Sequence, residues 1–414
     1  MENAISLTFG RRGACQIQIP ADNLKCQFQA PAALKPLGEL LAQGLESPLN
    51  YPSLRQAIVS GDRVTLVVDR QTPQAESLVL GVWSKLEACG VNAEDVTILV
   101  PAAITPGGNP DLRRLLPAEV REQVVLKTHD PTDEKSLGYL ATTTGGERIY
   151  LNQDLLNADL PILIGAVGFD PVLGYRGGGS AIYPGLSSVE AIRKSIGQGH
   201  EELAPDDARP LRQMIDEVTW LLGLQYAVQV VPAVGDGVSE VVVGQVDAAF
   251  QEACTRLKET WTLPTSNRSG MVIVAVDQDA NGHSWFQLGA ALDVARQLVS
   301  REGRIVALTE LRSDLSPGIQ LLREVRSPRD ALKPLREHQP PDMAPATQIA
   351  KTLDWAGVSL LSNLPGDLVE ELGMLPLDHA EELQRLVESE DSIAIVQSGQ
   401  HVSVRKRNAE TPKS

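Results

Sequence analysis

The sequence predicts an α/β protein of two domains, each with a mainly parallel sheet flanked by helices, and a cleft between them. Three observations predict it. Short continuous apolar runs of the kind that form strands buried on both faces, such as VTLVV at 64–68, recur along the chain. Helical patterns alternate with them at the spacing of βα units. After LPTSNRSG, Leu263 to Gly270, which has linker composition, the rhythm restarts with MVIVAVDQD. The length of 414 residues suits about two such domains, and each can bury a full core. The expected division is 1–262, a linker at 263–270, a second domain at 271–405 and a disordered polar tail at 406–414.

Taken in order, Ile5 to Phe9 and Gln16 to Ile19 alternate apolar and polar residues as a half-buried hairpin does, with Gly10 to Gly13 at the turn. Helical patterning follows at Leu34 to Gln43 and Leu54 to Val59. Val64 to Asp69 reads as a strand with an acid at its carboxyl end, the end where ligands of open α/β sheets collect. A helix from Gln74 to Cys89, a strand Val96 to Val100, a Pro/Gly loop, a helix from Asp111 and a strand Val124 to Leu126 continue the pattern. GYLATTTGGERIYLN reads as a hairpin turning at Gly145-Gly146. Strand Leu160 to Ile164 then leads into FDPVLGYRGGGSAIYPG, beyond which a helix begins near Ser187. A helix at Pro210 to Leu222, strands at Ala227 to Val231 and Glu240 to Val243, and a helix at Asp247 to Glu259 complete the first domain.

Composition limits the function. Aromatic content of 4% indicates aliphatic packing, and a net charge of −16 argues against general nucleic-acid or anionic-membrane binding. A small anion in a locally positive pocket remains compatible with it. The four cysteines lack CxxC or zinc-type spacing and read as reduced thiols. The start, MENAISLTFG, lacks the features of a signal peptide, and no apolar run reaches the ~18 residues of a membrane span. A soluble cytoplasmic protein is the expectation.

The glycines Gly177, Gly178 and Gly179 let backbone approach a ligand, and their N–H groups can form an anion-binding concavity; equally, the loop simply needs positive φ. Asp69 can hold a ligand hydroxyl or cap the next helix. His129 is a conceivable base or a structural histidine, and His200 can serve to end a helix. His283 lies in a Gly-containing loop with Trp285 and Gln287, just after a strand of the second domain. Arg176 and Tyr175 could clamp a carboxylate or cover a domain interface. HExxH, GxSxG and Walker-type runs are missing, which removes the commonest hydrolase and nucleotidase readings.

Several of these segments together resemble the nickel-dependent lactate racemases. They are VVDRQTP, ILVPAAITPGG, YLATTTGGERIYLN with ADLPILIG, GFDPVLGYRGGGSAIYPGL, ARPLRQMIDEV, YAVQVVPAVGDGVSEVVVGQVDAAF and VDQD…WFQ, in order over nearly the whole chain. The resemblance implies a racemase-type fold and, for the family, a nickel-pincer nucleotide that abstracts and returns hydride at a 2-hydroxy acid. It also implies divergence. The family's cofactor-binding lysine falls on Ser180, and its nickel-coordinating histidine falls on Ile196, with His200 four residues on. The acid/base histidines fall on Thr105 and Asp170, an arginine on Thr72 and a second-domain lysine on Ala290, while Asp69 and Gln287 keep the family's identity.

The expectation is therefore a racemase-like protein that binds or isomerises a small 2-hydroxy acid or sugar acid in the interdomain cleft, with no cofactor and no metal. Asp170, His283, Tyr175 and Asp69 are the candidate acid/base groups. Thr72, Thr105, Arg176, Gly177, Gly178, Gly179, Ser180, Trp285 and Gln287 are the candidate ligand contacts. A non-catalytic relative that binds a small anion or a protein partner is the alternative.

Overall fold

A computed structural model describes residues 2–102, 110–196, 203–278 and 283–406. The chain divides into a continuous central unit, Ala32–Leu257, and a terminal unit that joins Met1–Pro31 to Lys258–Ser414.

The central unit is built on a six-stranded sheet in the order Val238–Gln245, Tyr226–Pro232, Leu160–Ala166, Val64–Val68, Val96–Val100, Val125–Thr128. Every pairing is parallel except the antiparallel edge strand Val238–Gln245. Alternation sends successive residues of each strand to opposite faces. Leu66, Ile98, Ile162 and Val228 pack in one core with Leu78, Val82 and Leu86 of helix Ala75–Ala88. Val67, Leu99, Leu163 and Ala227 pack in the other with Leu211, Ile215 and Val218 of helix Pro210–Leu222. These side chains are essentially inaccessible, and each of the Val, Leu and Ile side chains contributes about 1.5–3 kcal/mol on burial.

Strand order in this sheet reverses once. The chain proceeds from Val64–Val68 to its neighbours on one side, then returns with Leu160–Ala166 on the other. The carboxyl ends of those two adjacent strands therefore flank a topological switch point, where flanking loops diverge and leave a crevice.

The terminal unit repeats the plan. Its all-parallel sheet runs Leu375–Leu377, Gly357–Leu361, Val299–Leu308, Ser269–Ala275, Ile393–Val396, Leu24–Phe28. The hairpin Glu2–Phe9 with Gly13–Pro20 turns Ile5, Leu7, Ile17 and Ile19 onto Met271, Ile273, Val306 and Ile395.

The expected domain limits need correction at two places. The first 31 residues belong with the terminal unit, because the apolar face of the hairpin needs that core and Leu24–Phe28 extends its sheet beside Ile393–Val396. The segment at 263–270 is not a linker. Thr262–Thr265 is a strand paired in parallel with Ser403–Lys406, and Ser269 already begins the next strand. Its Pro, Ser and Asn residues suggest a loop, but pairing is made by the backbone, which composition does not report. Residues beyond 406 lie outside the described set. Among the described residues, no helix is long and apolar enough to cross a membrane.

Candidate functional site

The switch point of the central unit gathers several of the residues singled out from sequence. Asp69 follows Val64–Val68, its N–H bonded to the Ile164 carbonyl at 2.9 Å. The opposite strand presents Gly165 there, and a Cβ on that glycine would stand 3.6 Å from Asp69 Cβ and 3.7 Å from Gln229 Nε2. Gln229, wholly buried in Tyr226–Pro232, accepts the Gly178 N–H on Oε1 at 3.0 Å. The strand end, the third strand and the glycine stretch are thereby tied together.

Gly168–Asp170 and Gly174–Arg176 pair as a small hairpin that delivers the glycines. Arg176 lies against Gly168 and donates Nη1 to Gln71 Oε1. Gly177 has φ of 106°, a conformation that a side chain would strain, and its N–H donates to Ser180 Oγ at 2.9 Å. Its carbonyl accepts Arg212 Nη1 at 3.0 Å. Gly179 is required for packing, since a methyl there would sit 1.8 Å from Thr219 Oγ1. Arg70 donates Nη1 to the Ala102 carbonyl, and burial lowers its proton affinity while Asp69 raises it.

The carboxylate of Asp69 accepts no hydrogen bond among the described residues; Thr72, fully buried, donates Oγ1 to the Asp69 carbonyl at 2.7 Å. Asp69 does not cap the next helix, whose N-cap is Gln74. Buried Arg176 Nε and Gln229 Nε2 have no partner among the described residues. Buried donors are almost always satisfied, so each of these is a candidate partner for a water or ligand oxygen. A guanidinium and a carboxylate at one sheet end can bind, respectively, the carboxylate and hydroxyl of a hydroxy acid.

The remaining candidates have other work in the structure. Asp170 Oδ1 accepts the N–H groups of Val172 and Leu173, both at 2.8 Å, and so shapes the hairpin turn. Tyr175 donates to Asp206 Oδ1 at 2.9 Å, and burial, then that carboxylate, pushes its phenol well above the ordinary value, so it stays protonated near neutrality. Ser180 Oγ is the acceptor for Gly177 and caps its own turn. His129 is neutral and structural: Nε2 donates to the Ser187 carbonyl at 2.9 Å, Nδ1 accepts from Asn152 at 3.1 Å, and burial lowers its pKa. Ile196 ends the helix Val189–Ile196. Thr105 and His200 lie outside the described residues.

His283, Trp285 and Gln287 fall in the terminal unit. His283 Nδ1 meets Thr309 Oγ1 at 2.7 Å and the Glu310 N–H at 3.2 Å, and burial lowers its pKa against the opposing charges of Glu310 and Asp277. Gln287 Oε1 accepts the Ser284 N–H at 2.9 Å and closes a capping box on helix Trp285–Leu298. Trp285 Nε1 donates to the Asp314 carbonyl at 2.9 Å. Among the described residues, no group of three or more His, Cys, Asp and Glu side chains could hold a metal ion.

Gln229 and Gln71 were not among the residues singled out. The signal for Gln229 was a polar residue at the centre of YAVQVVP, which is otherwise apolar and fully buried.

A family model described as the lactate racemase N-terminal domain matches residues 9–203. The lactate racemase apoprotein from Thermoanaerobacterium thermosaccharolyticum is a similar structure, with TM-score 0.79 and 18% identity over 97% of this chain and 100% of that one. A Thermotoga maritima protein solved by structural genomics gives TM-score 0.64 and 15% identity over 92% of this chain and 100% of that one. No curated protein matches the sequence. Residues 9–203 thus match the N-terminal domain of lactate racemases, and the chain shares the fold of a lactate racemase apoprotein.

Proposed function

We propose that the central unit binds a small 2-hydroxy acid or sugar acid at the switch point, without a covalently attached nickel-pincer nucleotide. The observation that carries this reading is that the switch-point segments hold both Asp69, whose carboxylate accepts no hydrogen bond among the described residues, and Arg176, whose buried Nε lacks a partner among them. Arg176 takes the ligand carboxylate, Asp69 takes the 2-hydroxyl, and Gln229 Nε2 donates to a ligand oxygen.

The residues at the family's anchoring positions do not fit its cofactor. Ser180 offers a hydroxyl that already accepts from Gly177, where a nucleophilic amine is needed, and Ile196 has no lone pair for nickel. No step of the reading runs through that group.

Isomerase turnover of the racemase or epimerase type is the second reading, and Asp69 is the observation that favours it. It is the one acid/base candidate in this unit whose side chain makes no hydrogen bond among the described residues, its charge acting only on the neighbouring Arg70. Polarimetry on each enantiomer of lactate separates the two. Unchanged rotation alongside saturable binding supports a binding protein, whereas racemisation abolished by Asp69→Asn establishes turnover. Stoichiometric nickel or a nucleotide mass adduct on the purified chain would overturn the absence of the cofactor.

A further inference from the structure

A cavity of about 520 Å³ opens at the amino-terminal edge of the terminal unit's sheet, where Ser269–Ala275, Ile393–Val396 and Leu24–Phe28 begin. Its described lining carries two cations, Lys25 and Arg268, and no carboxylate, in a chain of net charge −16. Such a local reversal of charge is what an anionic ligand requires.

The polar groups are held in place. Arg268 Nη1 donates to the carbonyls of Arg296 at 2.7 Å and Val299 at 2.5 Å, and the guanidinium lies 4.8 Å from the centre of the Trp355 ring. Burial, and then the charge of Arg296, lower the proton affinity of Arg268, and the opposite charge of an anion beside it would offset both. Ser269, only 3% exposed, lines the cavity, and its hydroxyl makes no hydrogen bond among the described residues. Ser392 adds a second hydroxyl, while Leu298 and Ala394 supply an apolar floor. Cys26 also lines it, and burial raises its pKa, so it adds no negative charge near neutrality. Lys25 donates Nζ to the Asp22 carbonyl, and Glu390 stands at Gly270 outside the lining.

We propose that this cavity is a binding site for a small phosphate ester, with the phosphate between Lys25, Arg268 and Ser269 and the organic part on Leu298 and Ala394. The site is independent of the switch-point cluster in the central unit. Its test is calorimetric titration of the full chain with glycerol phosphate and with inorganic phosphate, at ionic strength held constant with chloride. Saturable binding is expected, tighter for the ester, and weakened at least about tenfold by Lys25→Glu and by Ser269→Ala. Arg176→Met should leave it unchanged. Lys25 is exposed, so that variant decides the matter even if Ser269→Ala does not fold. Failure of both anions to bind, or binding indifferent to Lys25→Glu, would overturn the site, and an ester no tighter than phosphate would overturn its assignment to an ester.

Discussion

The two units end the same kind of sheet in different ways. Each has a mainly parallel sheet whose strand order reverses once, and each places an acid just past the first strand at that reversal, Asp69 in one and Asp277 in the other. In the terminal unit the acids there are engaged by the protein itself. Asp277 accepts Ser398 Oγ at 3.0 Å and the Gln278 N–H at 2.8 Å. Glu310 accepts the N–H groups of Arg11 and Arg12 at 2.8 and 3.2 Å, acting as the anion for the turn of the N-terminal hairpin. In the central unit, the Asp69 carboxylate accepts no hydrogen bond among the described residues, and Gly165 beside it carries no side chain. A switch point thus marks where a site can form, and the hydrogen bonds of its side chains decide whether one does.

The largest effect that would break this contrast is steric. Gly179→Ala places a methyl 1.8 Å from Thr219 Oγ1, and forcing the helix Pro210–Leu222 away should cost about 3 kcal/mol, read as a lower urea midpoint with hydroxy-acid binding lost in parallel. Arg176→Met should leave the urea midpoint nearly unchanged but weaken hydroxy-acid binding by about 10- to 100-fold, the worth of one charge-assisted hydrogen bond. Equal losses in both measurements would mean that Arg176 is structural.

Glu310→Ala sharpens the comparison from the other side. It should cost about 1 kcal/mol of stability by freeing the amides of the hairpin turn, and leave hydroxy-acid binding intact. The smallest effect is that of pH. Burial lowers the pKa of His129 below its ordinary 6.5, so the unfolded chain takes up the proton more readily than the folded one. Its contribution to stability is complete above about 6.5 and is lost as pH falls from there through the lower folded-state value. Thermal melts between these limits should show a shallower pH dependence in His129→Gln than in the parent chain.

Much of the fold was legible because burial on both faces writes itself into a strand as a continuous apolar run, as at Val64–Val68 and Ser269–Ala275. The pairing partner is not written there. Leu24–Phe28 lies beside Ile393–Val396, near the opposite end of the chain, so the hairpin's place in the terminal unit could not be read from its own alternation. Where the candidate residues fall was legible to a similar degree. A strand-end acid and a glycine run located Asp69 and Arg176, since both follow from how α/β strands end. What Asp170, Tyr175, Ser180 and Gln287 do depends on the hydrogen bonds they make, and residue type alone does not distinguish a turn-shaping carboxylate from a base. Gln229 reversed the problem: its burial in an apolar strand was visible, but its contact with Gly178, 51 residues away, was not.

The most direct measurement is calorimetric titration of the metal-free chain with a panel of small hydroxy acids and sugar acids, beside Arg176→Met. The switch-point account predicts saturable one-to-one binding of at least one acid in the parent chain and its loss in the variant. Binding that requires added nickel, or that survives Arg176→Met unchanged, would contradict it.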